Sequence, residues 1–100
     1  MMAISVLLVD DQTLVRQGIQ SLLGLSDKVT VVAQAVDGSE VLAAVNAHQP
    51  EVILLDIRMP GMDGIATLLE LKAHRIETPV IILTTFDDHE VVLQGLKAGA

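Results

Sequence analysis

The stretch Ile4-Ser5-Val6-Leu7-Leu8-Val9-Asp10-Asp11 carries a short aliphatic run straight into two adjacent carboxylates. Apart from Ser5 the run has no polar alternation, which is the pattern of a strand buried on both faces of a sheet. Runs of the same kind recur at Val29–Ala35, 51–55 and Val80–Leu83. The segments between them change to helical spacing. Leu14, Val15, Gly18, Ile19, Leu22 and Leu23 fall on one helical face, and Val41, Leu42, Ala44 and Val45 on another. Ile65, Leu68 and Leu69 follow the same rule, as do Val91, Val92, Leu96 and Gly99.

Start and stop signals sit at the expected boundaries. Ser39 is placed to cap the second helix, and Pro50 falls just beyond its end. Asp63 precedes the third helix; Asp87, with Glu90 three residues later, forms a capping-box pattern for the fourth, which Gly99 closes. The order is β-α four times. Right-handed crossovers then give a doubly wound parallel sheet with helices on both faces, an α/β fold. No linker or low-complexity tract interrupts residues 1–100, so the chain reads as one domain.

Composition narrows the function classes. The chain is 51% hydrophobic and 19% charged, which excludes intrinsic disorder. It has one Phe, no Trp and no Tyr, so its core is aliphatic. Cysteine is absent, leaving neither a disulfide framework nor a thiolate metal site, as fits a cytoplasmic protein. No apolar run approaches the roughly 18 residues of a membrane span. The net charge of −7 repels the DNA backbone, so direct nucleic-acid binding by this segment is not expected.

In a sheet of this kind the chemistry belongs at the carboxyl ends of the strands. After the first strand come Asp10 and Asp11, after the third Asp56, and after the fourth Thr84 and Thr85. If the first and third strands are neighbours, three carboxylates meet on one rim. At about 4 Å and an effective dielectric near 20, each like-charge pair costs on the order of 4 kcal/mol. Arg58 is the one basic residue beside them in sequence. A hard divalent cation with oxygen ligands, Mg2+, resolves the repulsion. Asp is also a favoured helix cap, so any one of these residues alone is ambiguous. The three together are what point to a site. His48, His74 and His89 lack metal-ligand spacing and are expected at the surface, and Met59-Pro60-Gly61 is expected to shape a turn.

Other phosphate-handling classes are missing their signatures. The loop after the first strand is Asp10-Asp11-Gln12-Thr13, without the glycines of a dinucleotide-binding turn or the Gly-Lys-Ser/Thr of a P-loop. A dehalogenase-type phosphatase needs a second Asp two residues after its nucleophile, and Arg58 occupies that place after Asp56. The site is therefore expected to accept a phosphoryl group and not to turn over as an enzyme.

The runs Val6-Leu7-Leu8-Val9-Asp10-Asp11, Leu54-Leu55-Asp56-Ile57-Arg58-Met59-Pro60-Gly61-Met62-Asp63-Gly64 and Val80-Ile81-Ile82-Leu83-Thr84 resemble the receiver domains of two-component response regulators. The resemblance covers the whole chain. It implies a flavodoxin-like receiver fold with strand order 2-1-3-4. It implies Asp56 as the phosphoacceptor, receiving its phosphoryl group from a sensor histidine kinase. It implies Mg2+ held by Asp11, Asp56 and the backbone carbonyl of Arg58, with Asp10 assisting. The Thr84 hydroxyl would bind a phosphoryl oxygen and report phosphorylation, with Thr85 as its small neighbour. Arg16-x-Gly18 and Thr84-Thr85-Phe86-Asp87-Asp88 resemble the NarL/LuxR type, whose members usually carry a DNA-binding helix-turn-helix output. The alternative is a stand-alone receiver that relays phosphate or binds a protein partner.

The sequence reaches Ala100 where the family continues into a fifth strand and helix, and with them its phosphoryl-pairing lysine and switch aromatic. The chain is thus expected to be C-terminally incomplete and without an output domain. On that expectation Val80–Leu83 is an open sheet edge, and a chain ending at Ala100 is expected either to be marginally stable or to associate through that edge, homodimerisation included.

Overall fold

The structure is a computed structural model, and it describes residues 3–56 and 64–83. The elements are β1 (Ile4–Val9), α1 (Thr13–Leu23), β2 (Val29–Ala35), a 3-10 turn at Gly38–Glu40, α2 (Val41–His48), β3 (Val52–Asp56), α3 (Gly64–Ala73) and β4 (Val80–Leu83). The strands form one sheet in the order β2-β1-β3-β4, with every pairing parallel. Each strand is joined to the next in sequence through a helix, as crossovers between parallel strands require. Right-handed crossovers put α1 on one face and α2 and α3 on the other.

Alternation along the strands sets the core. Leu7, Val9, Ile53 and Leu55 point to the α2–α3 face and pack with Val41, Val45, Leu68 and Leu71. Val6 and Leu8 alternate to the opposite face and are buried too. The central strand β1 is thus buried on both faces over its carboxyl half. That end of the sheet is a rigid platform.

Several local expectations are corrected. The third strand starts at Val52 and runs to Asp56, one residue later than its apolar run. Glu51 is held outside it because its N–H donates to the Ser5 carbonyl at 2.9 Å and its carboxylate accepts from the Ser5 N–H at 3.2 Å. The second helix is not capped by Ser39. A 3-10 turn precedes it, and the carboxylate of Asp37 accepts from the Ser39 N–H at 2.8 Å. The apolar stripe of α1 buries none of its residues; Leu14 and Leu22 lie exposed. On α3 the buried face carries Thr67, Leu68 and Leu71, while Leu69 is 53% exposed. The proposed caps Asp63 and Asp87, and the fourth helix, lie outside the described residues. Among the described residues β4 pairs with β3 alone.

Candidate functional site: an acidic rim

The β1–β3 register places Val9 opposite Leu55. One residue further along each strand, Asp10 and Asp56 stand side by side, with Asp11 next in the chain. One carboxylate oxygen from each of Asp10, Asp11 and Asp56 lies within 4.8 Å of the others. The sheet, not the loops, sets this juxtaposition.

Asp10 is buried, and its N–H and Oδ1 are both tied down. Its N–H donates to the Ala35 carbonyl at 3.1 Å, extending the β1–β2 ladder by a step. Its Oδ1 accepts from the Gln12 N–H at 2.9 Å, forming a side-chain turn that delivers the chain into α1. Asp10 thereby supports the helix start, although Gln12 occupies the cap position and makes no side-chain capping bond. Asp11 differs. Its Oδ1 is buried and has no hydrogen-bond partner among the described residues.

An unpartnered, buried carboxylate oxygen is costly unless something else neutralises it. Two further carboxylates beside it raise that cost. A divalent cation meets both demands, and a set made only of oxygen donors suits Mg2+. The residues present therefore fit the ion. Receiver domains bind Mg2+ at such an acidic pocket. Arg58 and Thr84, the remaining expected site residues, lie outside the described residues, as does His89. His48 is exposed, and His74 is exposed and bonded to Glu70 at 3.0 Å, so neither contributes to the rim.

One neighbour of the site was not expected from sequence. The Arg16 guanidinium reaches back from α1 and donates to the Asp10 carbonyl at 2.7 Å. Adjacency in sequence to the three carboxylates suggested only Arg58, two residues after Asp56. The available signal was position: Arg16 stands one helical turn past Gln12, to whose carbonyl its own N–H donates. The concave surface around Arg75, Ile76, Glu77 and Thr78 lies at the other end of the strands, where β4 begins, and is remote from this chemistry.

Comparison with known proteins agrees with this geometry. The family model for the response regulator receiver domain matches residues 6–100. A probable transcriptional regulatory protein of Mycobacterium tuberculosis, NarL, is 41% identical over 91 residues, covering 91% of this chain and 42% of the relative. The nitrate/nitrite response regulator NarL of Escherichia coli is 32% identical over 96 residues, covering 96% of this chain and 44% of that protein. The chain thus spans less than half the length of these relatives. Among solved structures, the Mycobacterium tuberculosis NarL signal receiver domain superposes with a TM-score of 0.91 at 38% identity, over all of this chain and 81% of that one. The response regulator ChrA of a heme-sensing two-component system superposes with a TM-score of 0.81 at 40% identity, over all of this chain and 47% of that one. The chain belongs to the response regulator receiver domain family and, within it, to the NarL/LuxR type.

Proposed function

We propose that Asp56 accepts a phosphoryl group from a sensor histidine kinase and that the phosphorylated domain signals to a transcriptional output. The observation that carries this reading is the meeting of Asp10, Asp11 and Asp56 at one strand rim, with a buried oxygen of Asp11 unpartnered among the described residues. In the transfer, a carboxylate oxygen of Asp56 attacks the phosphorus of a phosphohistidine. An O–P bond forms as the N–P bond breaks, and the electron pair returns to the imidazole nitrogen. Asp10, Asp11, Asp56 and the Arg58 carbonyl are the residues that would hold Mg2+, which supplies charge neutralisation and alignment for in-line transfer. Asp56 sits at the end of a strand whose Leu55 is fully buried, so the attacking oxygen is held by a rigid element. The Thr84 hydroxyl then donates to a phosphoryl oxygen, making its position sensitive to phosphorylation.

Family membership supports a signalling role over multiple-turnover catalysis. The NarL-type relatives, more than twice as long as this chain, support an output in transcription, carried by sequence outside residues 1–100. The cysteine-free composition supports a cytoplasmic setting, and no described helix is long and apolar enough to cross a membrane.

Incubation with a small acyl phosphate and Mg2+ tests the assignment. Intact mass should show one hydroxylamine-labile phosphoryl group per chain, lost slowly and absent in Asp56→Asn. A phosphoryl group on a Ser or Thr, or sustained turnover of the donor at enzyme rates, would replace this reading.

A further inference from the structure

We infer that Arg16 is a positioning residue for the acidic rim, holding the Asp10–Asp11 peptide in the orientation that leaves Asp11 facing a cation. The inference rests on the functional reading above and extends it to a residue outside the carboxylate set. The guanidinium makes three contacts on three parts of the fold. One nitrogen donates to the Asp10 carbonyl at 2.7 Å, Nε donates to Oε1 of Gln34 on β2 at 3.0 Å, and the third donates to Oγ1 of Thr13 at 3.3 Å. Gln34 in turn donates through Nε2 to Oε1 of Gln20 on α1. The fork therefore ties the end of β1 to the first turn of α1 and to the neighbouring strand.

The contact to Asp10 matters most. The peptide joining Asp10 to Asp11 has its carbonyl fixed by Arg16. The residue before that carbonyl is fixed by its N–H on Ala35 and its carboxylate on Gln12. Among the described residues, the Asp11 carboxylate alone at this junction keeps a buried oxygen without a partner. If the Asp10 carbonyl were released, the peptide could rotate, and the buried oxygen would lose its fixed place beside Asp10 and Asp56. Residues that orient ligands in this way, without touching the metal, typically govern affinity by about 10–100-fold. Lysine cannot replace the fork, because a single ammonium does not present three fixed, planar donors.

The sign of the effect separates positioning from simple charge. Arg16 is a cation near an anionic cation site, so by long-range electrostatics alone its removal would tighten Mg2+ binding. Positioning predicts the reverse. Mg2+ affinity should be measured by calorimetry on the full chain for the natural sequence, Arg16→Lys and Arg16→Gln. All measurements belong well below each variant's unfolding temperature, so that general destabilisation does not enter. The expected result is a loss of about tenfold in both variants, with the Asp11 and Gln12 amide resonances of metal-free Arg16→Lys displaced from their natural positions. Arg16→Lys keeps the charge and the long aliphatic stem at this half-buried helical position, so it serves where Arg16→Gln folds poorly. Unchanged or tighter Mg2+ binding by Arg16→Lys would overturn the inference while leaving the functional reading intact. A natural chain that binds no Mg2+ at all would overturn both.

Discussion

Val9 stands opposite Leu55 in the ladder between β1 and β3, and that single pairing sets Asp10 and Asp56 beside one another at the rim. A slip of one residue would turn the buried side chains of β3 to the opposite face and move Asp56 off the rim. The hydrophobic core therefore fixes the acidic cluster. The cluster in turn works against the core: three carboxylates, mutually within 4.8 Å, repel while no cation is bound.

From this opposition comes a prediction for Asp11→Asn. Removing one charge from the cluster relieves repulsion of about 1 kcal/mol even at a water-like dielectric. The metal-free variant should therefore be more stable than the natural chain by about that amount. It should also lose the stabilisation that saturating Mg2+ confers, which for the natural chain is about 2.7 kcal/mol at 100 times the dissociation constant. Denaturant unfolding with and without Mg2+ reads both effects. A variant destabilised in metal-free buffer would show that the carboxylates are compensated by something other than a cation.

Leu68 and Leu69 are adjacent on α3, yet Leu68 is 2% exposed and Leu69 is 53% exposed. Leu68→Ala should cost about 3 kcal/mol through lost burial and the cavity left behind. Leu69→Ala should change stability by less than about 0.5 kcal/mol. Chemical denaturation of the two variants in parallel checks the contrast, and equal losses would contradict the placement of α3.

What could be read from the sequence follows the same lines. The four strands were legible because unbroken aliphatic runs alternate with helical spacing, whereas their order came from the resemblance to receiver domains. The convergence of Asp10, Asp11 and Asp56 was legible because strand ends are fixed once strand order is. The finer errors come from residues with more than one physical use. Ser and Asp are both favoured helix caps, and composition does not reveal that a 3-10 turn precedes α2 and engages Asp37 in place of Ser39. Thr67 is as polar as many surface residues, yet on α3 it takes the buried place that apolar spacing assigned to Leu69. Arg16 illustrates the hardest case. Its partner is a backbone carbonyl, and a carbonyl leaves no trace in the identity of the residue that carries it.

Asp37 makes a prediction about pH. The Ser39 hydroxyl, and then the Ser39 N–H, donate to its carboxylate and hold its pKa below the ordinary Asp value. A folded pKa below the unfolded one means that the capping contribution is fully present above the unfolded value, about 3.9. It is lost as pH falls through the folded value. An NMR titration should place the Asp37 midpoint below that of a model Asp, and Ser39→Ala should move it upward. A midpoint unaffected by Ser39→Ala would show that the turn at Gly38–Glu40 is held by other means.

Gln49 ends α2 in the left-handed conformation, with φ at 47° and ψ at 57°. Its N–H donates to the Val45 carbonyl at 2.8 Å, satisfying a group the helix would otherwise leave open. A side chain with a Cβ is strained in that region by about 1 kcal/mol, and glycine is not. Pro50 follows immediately and is buried, so the chain has no freedom to relax the turn by continuing the helix. Gln49→Gly should therefore stabilise the domain by about 0.5–1 kcal/mol, part of the conformational gain being offset by the looser unfolded chain. Asn, which tolerates the same region, should give a smaller gain in the same direction. Urea unfolding measures both, with Gln49→Ala as the reference that keeps the Cβ. If Gln49→Gly proved less stable than Gln49→Ala, the left-handed end of α2 would not be the conformation the folded chain adopts.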